Sequence, residues 1–250
     1  MVTDSGKEID ILEMPVEGLA AYWLSIKKLL DAKNDPGFLA AETENTSEPF
    51  IRHLLETALT AMDPGMAGTL ARVKRGVLLG EYRRKFTMMT LTLVGIAASE
   101  NPRMTLIRLS SLTGPVPFNE KRTFELAGGL MNTVGEKEAD LPTLLAVDHK
   151  LKDDRLVVKL IFYAMMARRS GRQALHEHIP HLKSGFFAEG LALCADGFEA
   201  DFLQRQLTQA RDVALIATRR KMDLSTEMCL AIRQGLVYDE IFKVARAFMV

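Results

Sequence analysis

The chain has 250 residues, 48% of them hydrophobic and 26% charged, the make-up of a globular protein with ample core rather than of a disordered or fibrous one. It carries 32 lysines and arginines against 32 aspartates and glutamates, so no overall field draws it to nucleic acid or to an anionic membrane. Its two cysteines, Cys194 and Cys229, fall on apolar faces of expected helices and read as reduced core thiols of a cytoplasmic protein, not as a disulfide framework.

The polar, acidic start MVTDSGKEID is not a signal peptide. No window reaches the ~20 apolar residues of a membrane span. Residues 1–14 read as a flexible lead-in. Val16–Ala32 follows as an amphipathic helix with Leu19, Trp23, Ile26 and Leu30 on one stripe, ended by Asn34-Asp35-Pro36-Gly37. Phe38–Glu42 is a short helical turn. Thr46-Ser47-Glu48-Pro49 supplies a cap for a helix over Phe50–Met62, which Asp63-Pro64-Gly65 breaks. Met66–Ala98 is a long helical run, although Gly76 and Gly80 each weaken it by ~1 kcal/mol relative to Ala. Asn101-Pro102 closes it, and Arg103–Leu112 is a short helix.

Pro115–Pro117 reads as a linker and Asn119–Met131 as a helix capped by Asn119. A polar stretch to Asp154 contains one more short helix near Leu141–His149. From Arg155, Val158, Ile161, Phe162, Met165 and Met166 fall at helical spacing. A short helix follows from about Gln173, and a third stripe (Phe186, Phe187, Leu191, Cys194) stops at Asp196-Gly197. Glu199–Gln234 runs without Gly or Pro, which predicts one helix of roughly 50 Å. Val237–Met249 is a final amphipathic helix. Alternation at period two is missing, so the expected fold class is all-α.

The two halves align without a gap from Phe50 to Gly114 when 136 is added to each number. Phe50 then falls on Phe186, Leu55 on Leu191, Asp63 on Glu199, Arg75 on Arg211, and Arg83-Arg84-Lys85 on Arg219-Arg220-Lys221. Register, turns and the basic triplet agree together, which predicts two similar helical subdomains related by internal duplication. The expected organisation is a repeat over 15–114, a linker with short helices over 115–154, and a second repeat over 155–250.

Residues 163–207 carry the words YAxxARRxGxxAL and FxxxGLxLxxDGxxxxFLxxxL, and Gly95–Leu109 reads GIAASENPRMTLIRL. Together these resemble the two cytoplasmic signatures of the MotA flagellar stator family, without that family's transmembrane helices. The resemblance implies a non-enzymatic protein that binds a flagellar motor component, a rotor switch or stator protein, as accessory, regulator or scaffold. It further implies a charged partner-binding surface flanking the ARRxG turn. Arg168 and Arg169 match the basic position, while the acidic position falls on His176, beside Glu177. In the first half the acidic position is Glu42 and the basic position holds Asn34. The alternative reading is a general α-helical adaptor, or a stress-associated TerB-type bundle, on the LxxxADGxxxxxxL look of Leu191–Leu203.

No nucleotide-binding, nucleophile-elbow or metalloprotease motif occurs, and no catalysis, cofactor or metal is expected. His176-x-His178-x-x-His181 lacks the spacing of a structural zinc site. The basic stretches Arg72–Lys85 and Arg211–Lys221 have few aromatics beside them. They read as a solvated or partner-binding face rather than a nucleic-acid interface.

Overall fold

The structure is a computed structural model that describes residues 9–33, 37–60, 62–114, 118–136, 140–182 and 184–249. The expected turn at Asn34–Pro36, the linker Pro115–Pro117 and the first eight residues of the lead-in lie outside them. Among the described residues the chain is all-α: every regular element is helical. The α-helices are α1 (Val16–Lys33), α2 (Gly37–Asn45), α3 (Pro49–Thr57), α4 (Pro64–Ala97), α5 (Pro102–Ser110) and α6 (Glu120–Val134). After them come α7 (Leu141–Leu145), α8 (Asp153–Ser170), α9 (Gly185–Ala195), α10 (Ala200–Arg233) and α11 (Tyr238–Arg246), with a 3-10 helix (Arg172–His181) after α8. No helix among the described residues is long and apolar enough to cross a membrane.

The breaks follow local chemistry. Glu48 caps α3, its carboxylate accepting the Phe50 N–H at 3.2 Å, with Pro49 in the first turn. Asn101 and Pro102 do the same for α5. The α4 helix passes through Gly76 and Gly80 without a break. The short helix expected after Gly171 is present as a 3-10 helix, Arg172–His181, with Pro180 near its end. Two expectations need correction. The Phe50–Met62 helix stops at Thr57. The helix near Leu141–His149 stops at Leu145, after which Val147 and His149 turn inward.

The chain forms two compact units, and each long helix contributes to both. One unit comprises residues up to Gly80 together with Ala214 onward; the other is Glu81–Val213. In the first, α1 buries Leu19, Ala20, Trp23 and Ile26, and α3 buries Phe50, Ile51, Leu54 and Leu55. The Cys229 thiol faces the Leu54 carbonyl at 3.9 Å. Lys221 donates to the carbonyls of Ile11 and Leu12 at 3.1 and 2.9 Å. Arg75 pairs with Asp223.

In the second unit, α8 buries Leu156, Val157, Leu160, Ile161 and Tyr163. The Tyr163 hydroxyl donates to the Leu145 carbonyl at 2.9 Å. Gly190 of α9 lies against α4 so closely that a Cβ there would stand 2.5 Å from Leu93 Cδ1. Cys194 faces the Leu93 carbonyl at 3.8 Å. Lys85, 4% exposed, donates to the His149 carbonyl at 2.7 Å. The basic triplets are therefore not wholly solvated faces: their lysines turn inward and donate to loop carbonyls.

Corresponding bounds recur at a fixed spacing. The helices α3 and α9 begin at Pro49 and Gly185, α4 and α10 span Pro64–Ala97 and Ala200–Arg233, and α5 and α11 span Pro102–Ser110 and Tyr238–Arg246. Each pair is 136 residues apart. Buried positions follow the same spacing: Ala67 and Leu203, Ala71 and Leu207, Met88 and Leu224, Met89 and Ser225, Leu93 and Cys229, Ile96 and Ile232. So do the N-caps Glu48 and Ser184.

Candidate functional site

The last turn of α8 places two arginines next to one another at a helix C-terminus, where the helix dipole favours cations. Both are exposed. The Arg168 Nη1 donates to the Ser99 carbonyl at 3.3 Å. Neither Arg168 nor Arg169 has a carboxylate within 4 Å among the described residues.

Gly171, at φ 82°, then turns the chain into the 3-10 helix. Arg172 follows, spanning two helix ends: Nη1 donates to the Ala97 carbonyl at 3.4 Å and Nη2 to the Gly197 carbonyl at 3.1 Å. In the 3-10 helix, His176 Nε2 stands 3.2 Å from Asp196 Oδ1, with both side chains half-exposed. Glu177 points largely into solvent. His178 is buried, and desolvation holds its ring pKa below the ordinary 6.5 against the opposing pull of Glu177.

Two clefts flank the arginines. One, of about 540 Å³, has a floor of Ile96, Ala97, Ala164 and Ala167, with Arg168, Arg172 and Glu199 at its walls. Its edge carries Ser99, a non-glycine residue at φ 53°. Ser99 closes α4: its N–H bonds the Ile96 carbonyl at 3.0 Å, and the Glu100 N–H bonds the Gly95 carbonyl at 2.8 Å. The Glu100 carboxylate folds back over Gly95, where a Cβ would meet Oε2 at 2.7 Å, and reaches Thr105 at 3.2 Å and Arg108 at 3.3 Å. The Glu-Asn-Pro-Arg words are thus a helix stop, a tucked carboxylate and a helix start. The second cleft holds Arg169 and Glu177 together.

Four of the five residues singled out from sequence, Arg168, Arg169, His176 and Glu177, therefore cluster about the α8 corner of one unit. The fifth, Glu42, belongs to α2 in the other unit. It accepts the Tyr22 hydroxyl at 2.9 Å. Burial, and then this carboxylate, raise the Tyr22 pKa far above its usual range. Sequence reasoning missed Arg172, Ser99 and His178. A glycine followed by arginine past a helix end was the available signal for Arg172; His178 stood out only as one of three histidines without metal-site spacing, and nothing local marked Ser99.

Among the described residues no three His, Cys, Asp or Glu side chains gather as a metal site. Cys194 and Cys229 are free and buried, and desolvation pushes the Cys194 thiol up to about 11, far from a reactive thiolate. Compared with known protein families, with curated proteins and with solved structures, the chain matches none.

Proposed function

We propose that this protein is an internally duplicated helical scaffold with a docking corner for a protein partner on one copy only. The shared spacing of 136 residues supports the duplication, since the starts of α3 and α9, both bounds of α4 and α10 and of α5 and α11, the N-caps Glu48 and Ser184, and six pairs of buried positions repeat it. The inward lysines support it too. Lys85 and Lys221 stand 136 apart, and each donates to a carbonyl in the segment leading into α8 or α1.

The observation that carries the docking reading is the α8 corner, where two exposed arginines face water without a carboxylate partner and mixed charges lie beside them. Exposed charges of this kind give partner choice and association rate more than affinity. The ARRxG and Glu-Asn-Pro-Arg words resemble those of MotA-like cytoplasmic domains, so the partner we propose is a flagellar motor component, bound without catalysis.

The test is capture of a rotor switch protein by the parent chain, by Arg168→Glu, by Arg169→Glu and by Glu42→Lys. The account expects each arginine reversal to weaken capture by about tenfold, and Glu42→Lys to change it less. Parent capture that both arginine reversals leave unchanged, or no capture by the parent chain, overturns the reading.

A further inference from the structure

We propose that the cleft between α6, α7 and the end of α8 is a binding site for a small carboxylic acid with an apolar body. Its volume is about 380 Å³, in the range of small-molecule sites. Met131 and Val134 of α6, Leu141 of α7 and Met166 of α8 give it an apolar wall. Its polar lining residues are Arg169, Ser170, Glu177 and His178, and of these Arg169 and His178 carry the proposal.

His178 is 5% exposed, and its Nε2 is buried with no hydrogen-bond partner. The Glu177 Oε1 stands 3.5 Å away, beyond a real hydrogen bond, on a side chain that is 70% exposed. Buried polar atoms are almost always paired, so an orphan on a cleft-lining residue, covered by a long side chain such as that of Glu177, marks a place where another molecule can supply the partner. Burial keeps this ring neutral. With its proton on Nε2 it donates to an oxygen arriving from the cleft. Arg169 lines the same cleft and has no carboxylate within 4 Å among the described residues.

One donor plus one cation beside an apolar wall matches a carboxylate head on a hydrocarbon body. An ammonium head would face Arg169, and an alcohol would leave that charge unanswered. The exposed Glu177 carboxylate already lies near the position such a head would take, and it is free to swing into water when displaced. The cleft shares Arg169 and Glu177 with the proposed docking corner, but the proposal rests on its apolar wall and the orphaned His178 Nε2.

The test is calorimetric titration of the full chain with sodium octanoate, octanol and octylamine, on the parent and on Arg169→Gln, His178→Gln and Val134→Trp. Octanoate is expected to bind saturably, one per chain, and at least about tenfold more tightly than octanol or octylamine. Arg169→Gln weakens octanoate by about tenfold while the thermal midpoint of the unliganded chain stays put. Val134→Trp, which fills the cleft from a half-exposed position, abolishes binding while the helical circular dichroism is kept. The proposal falls if octanoate gives no saturable heat, if the three probes bind alike, or if Arg169→Gln and Val134→Trp both bind as the parent does.

Discussion

Leu54 and Gly190 stand 136 residues apart at the same place on α3 and α9, yet one is a large aliphatic side chain and the other has none. In the first unit, Leu54 fills the space and presents its carbonyl to Cys229. In the second, the residue 136 before Cys229 is Leu93, and it fills the space that Gly190 leaves. Bulk at this contact comes from α3 in one unit and from α4 and α10, through Leu93 and Leu207, in the other. A framework can therefore keep its register while individual side chains exchange their shares of a fixed core volume.

The sharpest way to break the comparison is to put the leucine of one unit into the other. Gly190→Leu forces a Cβ to 2.5 Å from Leu93 and 3.0 Å from Leu207. It should destabilise the chain by about 3 kcal/mol, read from urea unfolding, and Leu93→Ala in the same chain should recover part of that loss. Recovery tests whether volume at this contact is shared. The inward lysines come next. Lys85→Ala removes a buried donor to the His149 carbonyl and should cost about 2 kcal/mol; Lys221→Ala, at a half-buried position, should cost about 1 kcal/mol.

Ser99 and Gly235 are a third pair 136 apart, both in the left-handed region at the end of a long helix, at φ 53° and 76°. Ser99→Gly removes the steric penalty of a Cβ there but frees the unfolded chain, a net gain of about 0.5 kcal/mol. Gly235→Ser should lose a similar amount, and thermal unfolding measures both.

The smallest effect separates the units by pH. His53 in one and His178 in the other have pKa values lowered from 6.5, in both cases chiefly by burial. The unfolded chain therefore binds protons first as pH falls. The stability these neutral rings contribute is complete above 6.5 and declines below it. Asp148 adds a further loss at lower pH, in the second unit. Burial alone would raise its pKa, but the hydrogen bond from the His149 ring, the Lys150 N–H and the neighbouring charges outweigh that and bring it from 3.8 to about 2. Its share is present above 3.8 and lost as pH falls toward 2. His178→Gln should flatten the first decline in part and leave the second. A pH profile of the urea midpoint checks both.

Much of this framework is legible in the sequence, because its stops are local. Asp63-Pro64, Asn101-Pro102, Gly197 and Gly235 punctuate the chain at the spacing the structure keeps. The helical spacing around Trp23 and Ile161 marks the buried faces of α1 and α8. What was not legible depends on residues distant in the chain. Lys85 reads as part of a charged face, and its turn inward, to the Glu81 carboxylate and the distant His149 carbonyl, is not visible in the sequence. Arg168 and Arg169 are visible as a pair, but the two clefts that separate them exist only once α4, α6 and the 3-10 helix have packed. His178 looks like one of three scattered histidines until its burial is known.

The most direct measurement is residue-resolved NMR of the full chain, with helix limits read from secondary chemical shifts and protected amides from hydrogen exchange. The account predicts that helix starts and protection recur at a spacing of 136 across α3 and α9, and both limits across α4 and α10 and across α5 and α11, with Ser99 and Gly235 both left-handed. Helix limits that drift apart by several residues between the pairs, or a long helix whose protected face does not match its counterpart, would contradict it.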